Sequence, residues 1–257
     1  MKLATWNVNS IKVRLAQLLD WLGAVRPDVV CLQEIKIEDV KFPRAELEGV
    51  GYRVVVSGQK TYNGVAILSL TPSQDLALDI PGFPDVQKRV IAATIDGIRV
   101  ICVYCPNGQA VGSEKYAYKL RWYAALRDYV AAELARHPAL ALAGDFNVAP
   151  EDRDVHDPKA WEGQVLVSEP ERAAWRALTA LGLKDAFRLF EQPEKVFSWW
   201  DYRMLGFRRN AGLRIDHVLL SETLAGRCQG SSVDKAPRKL ERPSDHAPVV
   251  AELVDAH

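Results

Sequence analysis

The sequence predicts one α/β domain. Short apolar runs of strand length alternate with longer stretches of helical spacing. The middle of the chain holds four strand-like runs close together, and no linker, repeat or low-complexity tract divides the 257 residues, so one domain over 1–257 is expected. In order, residues 2–7 (KLATWN) and 28–34 (DVVCLQE) read as strands. Between them, 10–24 is helical, with Ile11, Leu15, Leu18, Leu19 and Leu22 on one face, Ser10 as N-cap and Pro27 as the stop. The runs 52–57, 64–70, 89–95 and 99–105 follow, with Asp96-Gly97 a two-residue hairpin signal, and predict a single antiparallel meander. A long helix is expected over 114–136, striped by Tyr116, Leu120, Tyr123, Leu126, Val130 and Leu134. LALAGDFNVAP (140–150) opens as a buried strand, 151–170 reads as a long loop and 171–181 as a helix. Runs 212–221 and 246–254 read as late strands.

Composition narrows the class. With 48% hydrophobic and 26% charged residues the chain is an ordinary globular protein, and no apolar run reaches the roughly 20 residues that span a bilayer. The start, MKLATWNVNS, lacks the apolar core of an export signal, and four cysteines in this length give no disulfide framework, so a cytoplasmic location is expected. Cys102 and Cys105 lie in an apparent strand at a spacing that points them to opposite faces, and no second pair completes a zinc site. Net charge is +0, so nucleic-acid binding would need local basic patches. Arg203, Arg208, Arg209 and Arg214 form one stretch, and Lys235, Arg238, Lys239 and Arg242 a second. On charge alone both read as solvated surface.

Polar residues recur where the strands end: Asn7, Glu34, Tyr104 with Asn107, Asp145 with Asn147, then Asp216, Asp245 and His246. Each has an ordinary explanation. Asn7 would cap the first helix, Asp145 and Asn147 would close an Asx-turn, and Tyr104 would be core. Asp216 resists most, because a carboxylate inside the apolar run GLRIDHVLLS is costly unless it is paired or on a metal. Together these groups match a different need. Hard divalent cations take carboxylate and carboxamide oxygens, and phosphodiester hydrolysis requires an activated water, a stabilised oxyanion and an assisted leaving group. No Gly-rich phosphate loop or G-x-S-x-G is present, which argues against a kinase or serine hydrolase.

TWNVNSI, CLQE, YNGVAILS, VYCPNG, GDFNVAP, GLRIDHVLLS and PSDHAPV occur in the order and approximate spacing of the exonuclease III family, which the chain resembles from residue 2 to about 253. These are bacterial apurinic/apyrimidinic endonucleases of the DNase I-like endonuclease/exonuclease/phosphatase superfamily. The resemblance implies a four-layer α/β sandwich, with two mixed sheets packed face to face and helices outside. It implies cleavage of double-stranded DNA 5′ to abasic sites to leave a 3′-hydroxyl, with 3′-phosphatase, 3′-phosphodiesterase and 3′→5′ exonuclease activity on blocked ends. Mg²⁺ is the implied cofactor, with Mn²⁺ as a substitute, and a monomer is expected.

Carried onto this sequence, the resemblance makes Glu34 the main metal ligand with Asn7 beside it and Asp245 contributing. Asp145 resembles the residue that orients or deprotonates the attacking water, with Asn147 supporting it. His246, paired with Asp245, resembles the group on the scissile phosphate, Tyr104 lies near the leaving group, Asn107 contributes, and Asp216 supports the network. Gly144 is expected to let the backbone turn Asp145 into the cleft. Trp199, Leu213 and Ile215 fall where the family builds an apolar slot for the flipped abasic sugar, and Arg203, Arg208 and Arg209 become candidates for phosphate clamping. Ile35 and Cys105 depart from common family residues without removing a catalytic group. The loop 151–170, with His156 and Trp161, lies on variable ground. Two rivals remain: a superfamily phosphatase for lipid or inositol phosphates, and a catalytically silent DNA-binding module.

Overall fold

The computed structural model describes residues 1–254; residues 255–257 of the expected domain lie outside the described residues. In chain order the elements begin β1 (Lys2–Asn7), α1 (Ile11–Val25), β2 (Val29–Gln33), α2 (Arg44–Gly49), β3 (Arg53–Ser57) and β4 (Val65–Ser69). They continue β5 (Gln74–Leu78), β6 (Val90–Ile95), β7 (Ile98–Tyr104), α3 (Glu114–Arg136), β8 (Leu140–Asp145), α4 (Pro158–Trp161) and α5 (Glu169–Thr179). The last are β9 (Lys184–Asp185), β10 (Trp199–Trp200), β11 (Gly212–Leu213), β12 (Asp216–Leu220), α6 (Glu222–Ala225), β13 (Cys228–Val233) and β14 (Val249–Leu253).

Two six-stranded mixed sheets result, ordered β13-β14-β1-β2-β4-β3 and β5-β6-β7-β8-β12-β9. Their inner faces meet in one core, with Leu3, Cys31 and Ile67 from the first sheet against Ile91, Cys102, Ala143 and Val218 from the second. Alternation along each strand sends the other residues outward. Ala4, Trp6 and Leu32 pack against α1 through Leu18, Trp21 and Leu22. Ile101, Leu142 and Leu219 pack against α3 and α5 through Trp122, Leu126 and Trp175. The four-layer sandwich is therefore observed. Cys102 lies between the sheets and Cys105 on the helix side, opposite faces as expected, and all four cysteines are free. Among the described residues, no helix is long and apolar enough to cross a membrane.

Several expectations change. The meander is divided: β3 pairs with β4 in the first sheet, whereas β5, β6 and β7 form a meander in the second. The hairpin at Asp96-Gly97 is present, with φ of 48° and 76° at the two residues. Ser10 precedes α1 but makes no side-chain cap; its backbone N–H donates instead to Glu34 O at 2.7 Å. The run 212–221 is interrupted, giving β11 and β12 with Arg214 and Ile215 between them. Residues 151–170 are not one open loop, since they contain α4 and the first two residues of α5. The stripe on α3 also includes Lys119 and Glu133, both fully buried.

Candidate active site

Parallel pairing of β1 with β2 places Asn7 beside Gln33, so the side chains that follow each strand emerge at one edge of the first sheet. In the second sheet Tyr104 on β7 and Asp216 on β12 are both register partners of Asp145 on β8. Face-to-face packing brings the two edges together. Glu34, Asp145 and His246 each offer a ligand atom within 4.8 Å of the others. Asn7 links them, its Nδ2 donating to Glu34 Oε1 and to Asp145 Oδ2, both at 2.9 Å. Its own oxygen accepts the Asn9 backbone N–H at 2.9 Å, so as placed Asn7 ties two carboxylates together instead of offering them an oxygen ligand.

Asp145 is buried, and its other oxygen accepts the Asn147 N–H at 2.9 Å, so the Asx-turn and the site coexist in one motif. Asn147 has φ of 48°, a left-handed conformation that Asn tolerates, and its Nδ2 donates to Cys105 O at 2.9 Å. Asn107 donates to Asn147 Oδ1 at 3.2 Å. The glycine before Asp145 serves another purpose than the expected turn. A Cβ on Gly144 would lie 1.9 Å from Val103 O, so its absence is what lets β7 and β8 approach.

His246 is the second correction. Its partner is Asp216 and not its sequence neighbour Asp245: Nδ1 donates to Asp216 Oδ2 at 2.9 Å, while Nε2 lies 3.7 Å from Asp145 Oδ2. Asp216 is itself fixed by Ser198, whose hydroxyl donates to it at 2.6 Å, a residue that nothing in the sequence singled out. Asp245 makes no hydrogen bond to His246; it accepts from Asn9 Nδ2 at 2.9 Å and Trp199 Nε1 at 3.0 Å, and its charge still helps to raise His246.

The electrostatics follow from burial and crowding. Burial raises Asp145 to about 7; His246 and the Asn7 hydrogen bond oppose the rise, and Asp216 and Glu34 add to it. Burial alone would lower His246, but the carboxylates of Asp216 and Asp145 overcome it and raise the imidazole to about 10. Tyr104 is pushed well up by burial and by Glu34 and Asp145, so it stays a phenol and a proton donor. The result is a cationic imidazole and a carboxylate poised near neutrality, facing the same space. A hard divalent cation fits the oxygens of Glu34 and Asp145, whereas His246, protonated and engaged by Asp216, is a hydrogen-bond donor and not a ligand.

The DNA-binding candidates separate. Trp199 pairs with Leu213 across β10–β11 and bridges to His246, which brings all three together at the Asp216 side of the site. Leu213 and Ile215 are 0% and 1% exposed, packed under Val155, Leu166 and Val167, so they line no open slot. His156 reaches across from the 151–170 segment and faces Gly212 O at 3.2 Å. Arg208 and Arg209 are exposed, and Arg203 is exposed but paired with Asp201 at 2.6 Å. Arg214 and Arg238 leave the surface patches altogether. Arg238 is buried against the rings of Trp200, Tyr202 and Phe207. Arg214 is buried and bonds Asp154 and Asp185, each at 2.7 Å.

Arg214 also donates to His217 Nδ1 at 2.9 Å, which leaves the proton on Nε2 to bond Val148 O at 3.1 Å, one residue beyond Asn147. His217 is held neutral: burial first, then the Arg214 charge, lowers it from 6.5 to about 4. The unfolded chain therefore binds more protons than the folded one between those values, and stability falls as pH drops through that window. We expect about 2 kcal/mol of this loss between pH 7 and pH 5, absent in His217→Gln. Urea unfolding of both proteins at the two pH values measures it, and equal acid sensitivity in the two would clear His217.

Comparison with known proteins agrees with this geometry. The endonuclease/exonuclease/phosphatase family profile matches residues 4–246. Exodeoxyribonuclease III of Haemophilus influenzae is 38% identical, covering 98% of this chain and 100% of its own. The 3′ phosphatase NExo from Neisseria, solved bound to product DNA hairpin, superposes with TM-score 0.97 at 48% identity over 99% of both chains. An AP endonuclease from Archaeoglobus fulgidus superposes with TM-score 0.95 at 41% identity, covering 98% of this chain and 99% of that one. With carboxylates, an imidazole and a phenol gathered at the sheet edges, the chain belongs to the endonuclease/exonuclease/phosphatase family, as a DNA-repair phosphodiester hydrolase of the exodeoxyribonuclease III type.

Proposed function

We propose that the protein uses Mg²⁺, or Mn²⁺ in its place, to hydrolyse the phosphodiester 5′ to abasic sites in duplex DNA and to clear phosphate and other blocks from 3′ ends. One observation carries this reading: Asn7 hydrogen-bonds both Glu34 and Asp145, His246 hydrogen-bonds Asp216, and His246 Nε2 lies 3.7 Å from Asp145 Oδ2, so the two groups meet across two sheet edges. Glu34 and Asp145 would hold the cation, which supplies Lewis-acid polarisation of the phosphoryl oxygens. Asp145, buried and fixed by Asn7 and by the Asn147 N–H, accepts the proton of the attacking water. His246, kept cationic by Asp216, donates to a phosphate oxygen as charge develops there. The Tyr104 phenol donates on the opposite side of Asp145, and Asn107 and Asn147 fix the loops that carry these groups. Arg208, Arg209 and Arg203 contact the DNA backbone, the last after exchanging Asp201 for phosphate. The protein acts as a cytoplasmic monomer.

A second reading, chiefly 3′-end processing with little abasic incision, is favoured by the packing of Leu213 and Ile215 beneath Leu166 and Val167. A 5′-labelled duplex with one abasic analogue, beside a nicked duplex ending in 3′-phosphate, separates the two. We expect turnover in Mg²⁺ that EDTA abolishes. Incision at the lesion supports the first reading, and removal of the 3′-phosphate alone supports the second. Turnover undiminished in EDTA would sink the metal requirement, and hydrolysis of inositol phosphates but not DNA would move the substrate.

A further inference from the structure

Apolar side chains flank the hydrolytic centre on its Asp216 side. Ile215 immediately precedes Asp216, Trp199 bridges to His246 and donates its indole N–H to Asp245, and Leu213 pairs with Trp199 across β10–β11. An abasic nucleotide turned out of the helix offers a bare sugar and no base, so its recognition falls to an apolar recess beside the reacting phosphate. These three residues are the walls that such a recess needs. The space between them is taken, because Leu166 and Val167, from the segment between α4 and α5, pack on them together with Val155.

Leu166 is the part of that cover which the fold holds under strain. Its φ is 78°, a left-handed conformation that a bulky side chain rarely takes, and such backbone persists only where its surroundings impose it. The constraint is visible on both sides of the residue. Leu166 N donates to Glu171 Oε1 at 3.0 Å, and Leu166 O accepts from Ala149 N at 2.8 Å, two residues beyond Asn147. Glu171 is fixed in turn by the buried ammonium of Lys119. With its backbone so held, the Leu166 side chain lies among Val155, Leu213 and Ile215 and is 4% exposed. A strained residue placed against the centre and buried on its apolar flank points to a role in what that flank admits.

We infer that Leu166 is a specificity-determining residue: its side chain fills the recess that an extrahelical abasic sugar would enter, and so holds abasic incision down relative to removal of a 3′-terminal phosphate. The inference rests on the reading that the centre hydrolyses phosphate esters of DNA, and it assigns the balance between the two activities to one side chain. At an abasic site the scissile phosphate carries the sugar of the lesion on its far side, and that sugar meets Leu166. A 3′-terminal phosphate carries nothing on its far side. It reaches Asp145 and His246 with Leu166 in place.

Leu166→Gly empties the recess and suits the backbone, since glycine takes positive φ without strain, so the variant should fold. Leu166→Met keeps the volume and is the control. The first readout needs no catalysis: anisotropy titration in EDTA with a labelled duplex carrying a tetrahydrofuran abasic analogue, beside the undamaged duplex. Wild type and Leu166→Met should bind the two alike, whereas Leu166→Gly should prefer the abasic duplex by about tenfold or more, the range for apolar groups in a pocket. In Mg²⁺, Leu166→Gly should raise kcat/KM for incision at the analogue by a similar factor and leave removal of a 3′-phosphate from a nicked duplex unchanged. A wild-type preference for the abasic duplex would overturn the inference, as would an equal gain in Leu166→Met. So would a Leu166→Gly protein that still clears 3′-phosphate but gains no incision. A fall in 3′-phosphate removal without any gain at the lesion would also overturn it, marking Leu166 as a support of the centre. An abasic preference gained by Leu166→Gly, where neither protein cleaves DNA in Mg²⁺, would uphold the recess and refute the hydrolytic reading instead.

Discussion

Replacing Asp145 with Asn should lower kcat by about 10² or more, while the protein still binds its DNA, since a positioned general base contributes on that order. The substitution keeps the shape of the side chain but removes the acceptor that Asn7 and His246 both face. Two causes are then tangled, because Asp145 would also be one of the groups that hold the cation. A Mg²⁺ titration of the variant separates them. Loss of a ligand shifts the half-saturating Mg²⁺ upward and is partly recovered at high metal, whereas loss of the base lowers kcat at every metal concentration. The pH profile adds an independent readout. Without metal, burial raises Asp145 to about 7, and a cation on its oxygen would lower that value, so the acid limb of the wild-type rate should lie below neutrality and move down as Mg²⁺ rises. That limb should be missing from the variant. Near-wild-type turnover would remove Asp145 from the chemistry.

What the sequence made legible was the position of each polar group, because each stands where an apolar run stops: Asn7 after β1, Glu34 after β2, Tyr104 and Asp145 at the ends of β7 and β8. What it hid was partnership. Asp245 and His246 are adjacent, yet adjacent residues in extended chain point apart, so His246 reaches Asp216 on β12 while Asp245 reaches Asn9 and Trp199. The strands β5 (QDLAL) and β13 (CQGSSV) escaped detection for a related reason. Both are sheet edges, largely exposed or half-buried, and show no apolar alternation. The division of the expected meander was equally invisible, since nothing in residues 70–73 distinguishes a hairpin from a crossing between sheets. Arg214 and Arg238 show the same limit for charge: a basic run cannot say which members face water, and these two are buried.

Lys119 is the residue whose importance the sequence concealed most fully, and Lys119→Met should cost about 3 kcal/mol or more of stability. It lies on α3 between Tyr116 and Tyr123, on the inward face, and is 0% exposed. Its ammonium donates to Asn147 O at 2.6 Å, to Asn107 O at 3.0 Å and to the buried Glu171 carboxylate. Burial lowers its pKa, and Glu171 opposes that fall. The methionine fills the same volume but leaves a buried carboxylate without its counter-charge. Glu171 still accepts from Leu166 N at 3.0 Å and Ser168 N at 3.1 Å, which places the expected loss at the lower end of the range for a broken buried pair. Denaturant unfolding of Lys119→Met, Glu171→Gln and the double variant reads the coupling directly. The double variant should regain part of the stability, because neutralising Glu171 removes the uncompensated charge. Lys119→Met should also lower turnover, and the double variant should not regain it, because the carbonyls of Asn107 and Asn147 remain without the donor that holds the two loops together. A loss below about 1 kcal/mol in Lys119→Met would mean that the pair is replaceable, as many buried ion pairs are. Restored stability together with restored turnover would instead make Lys119 a partner for Glu171 alone, with no part in aligning the loops that carry Asp145.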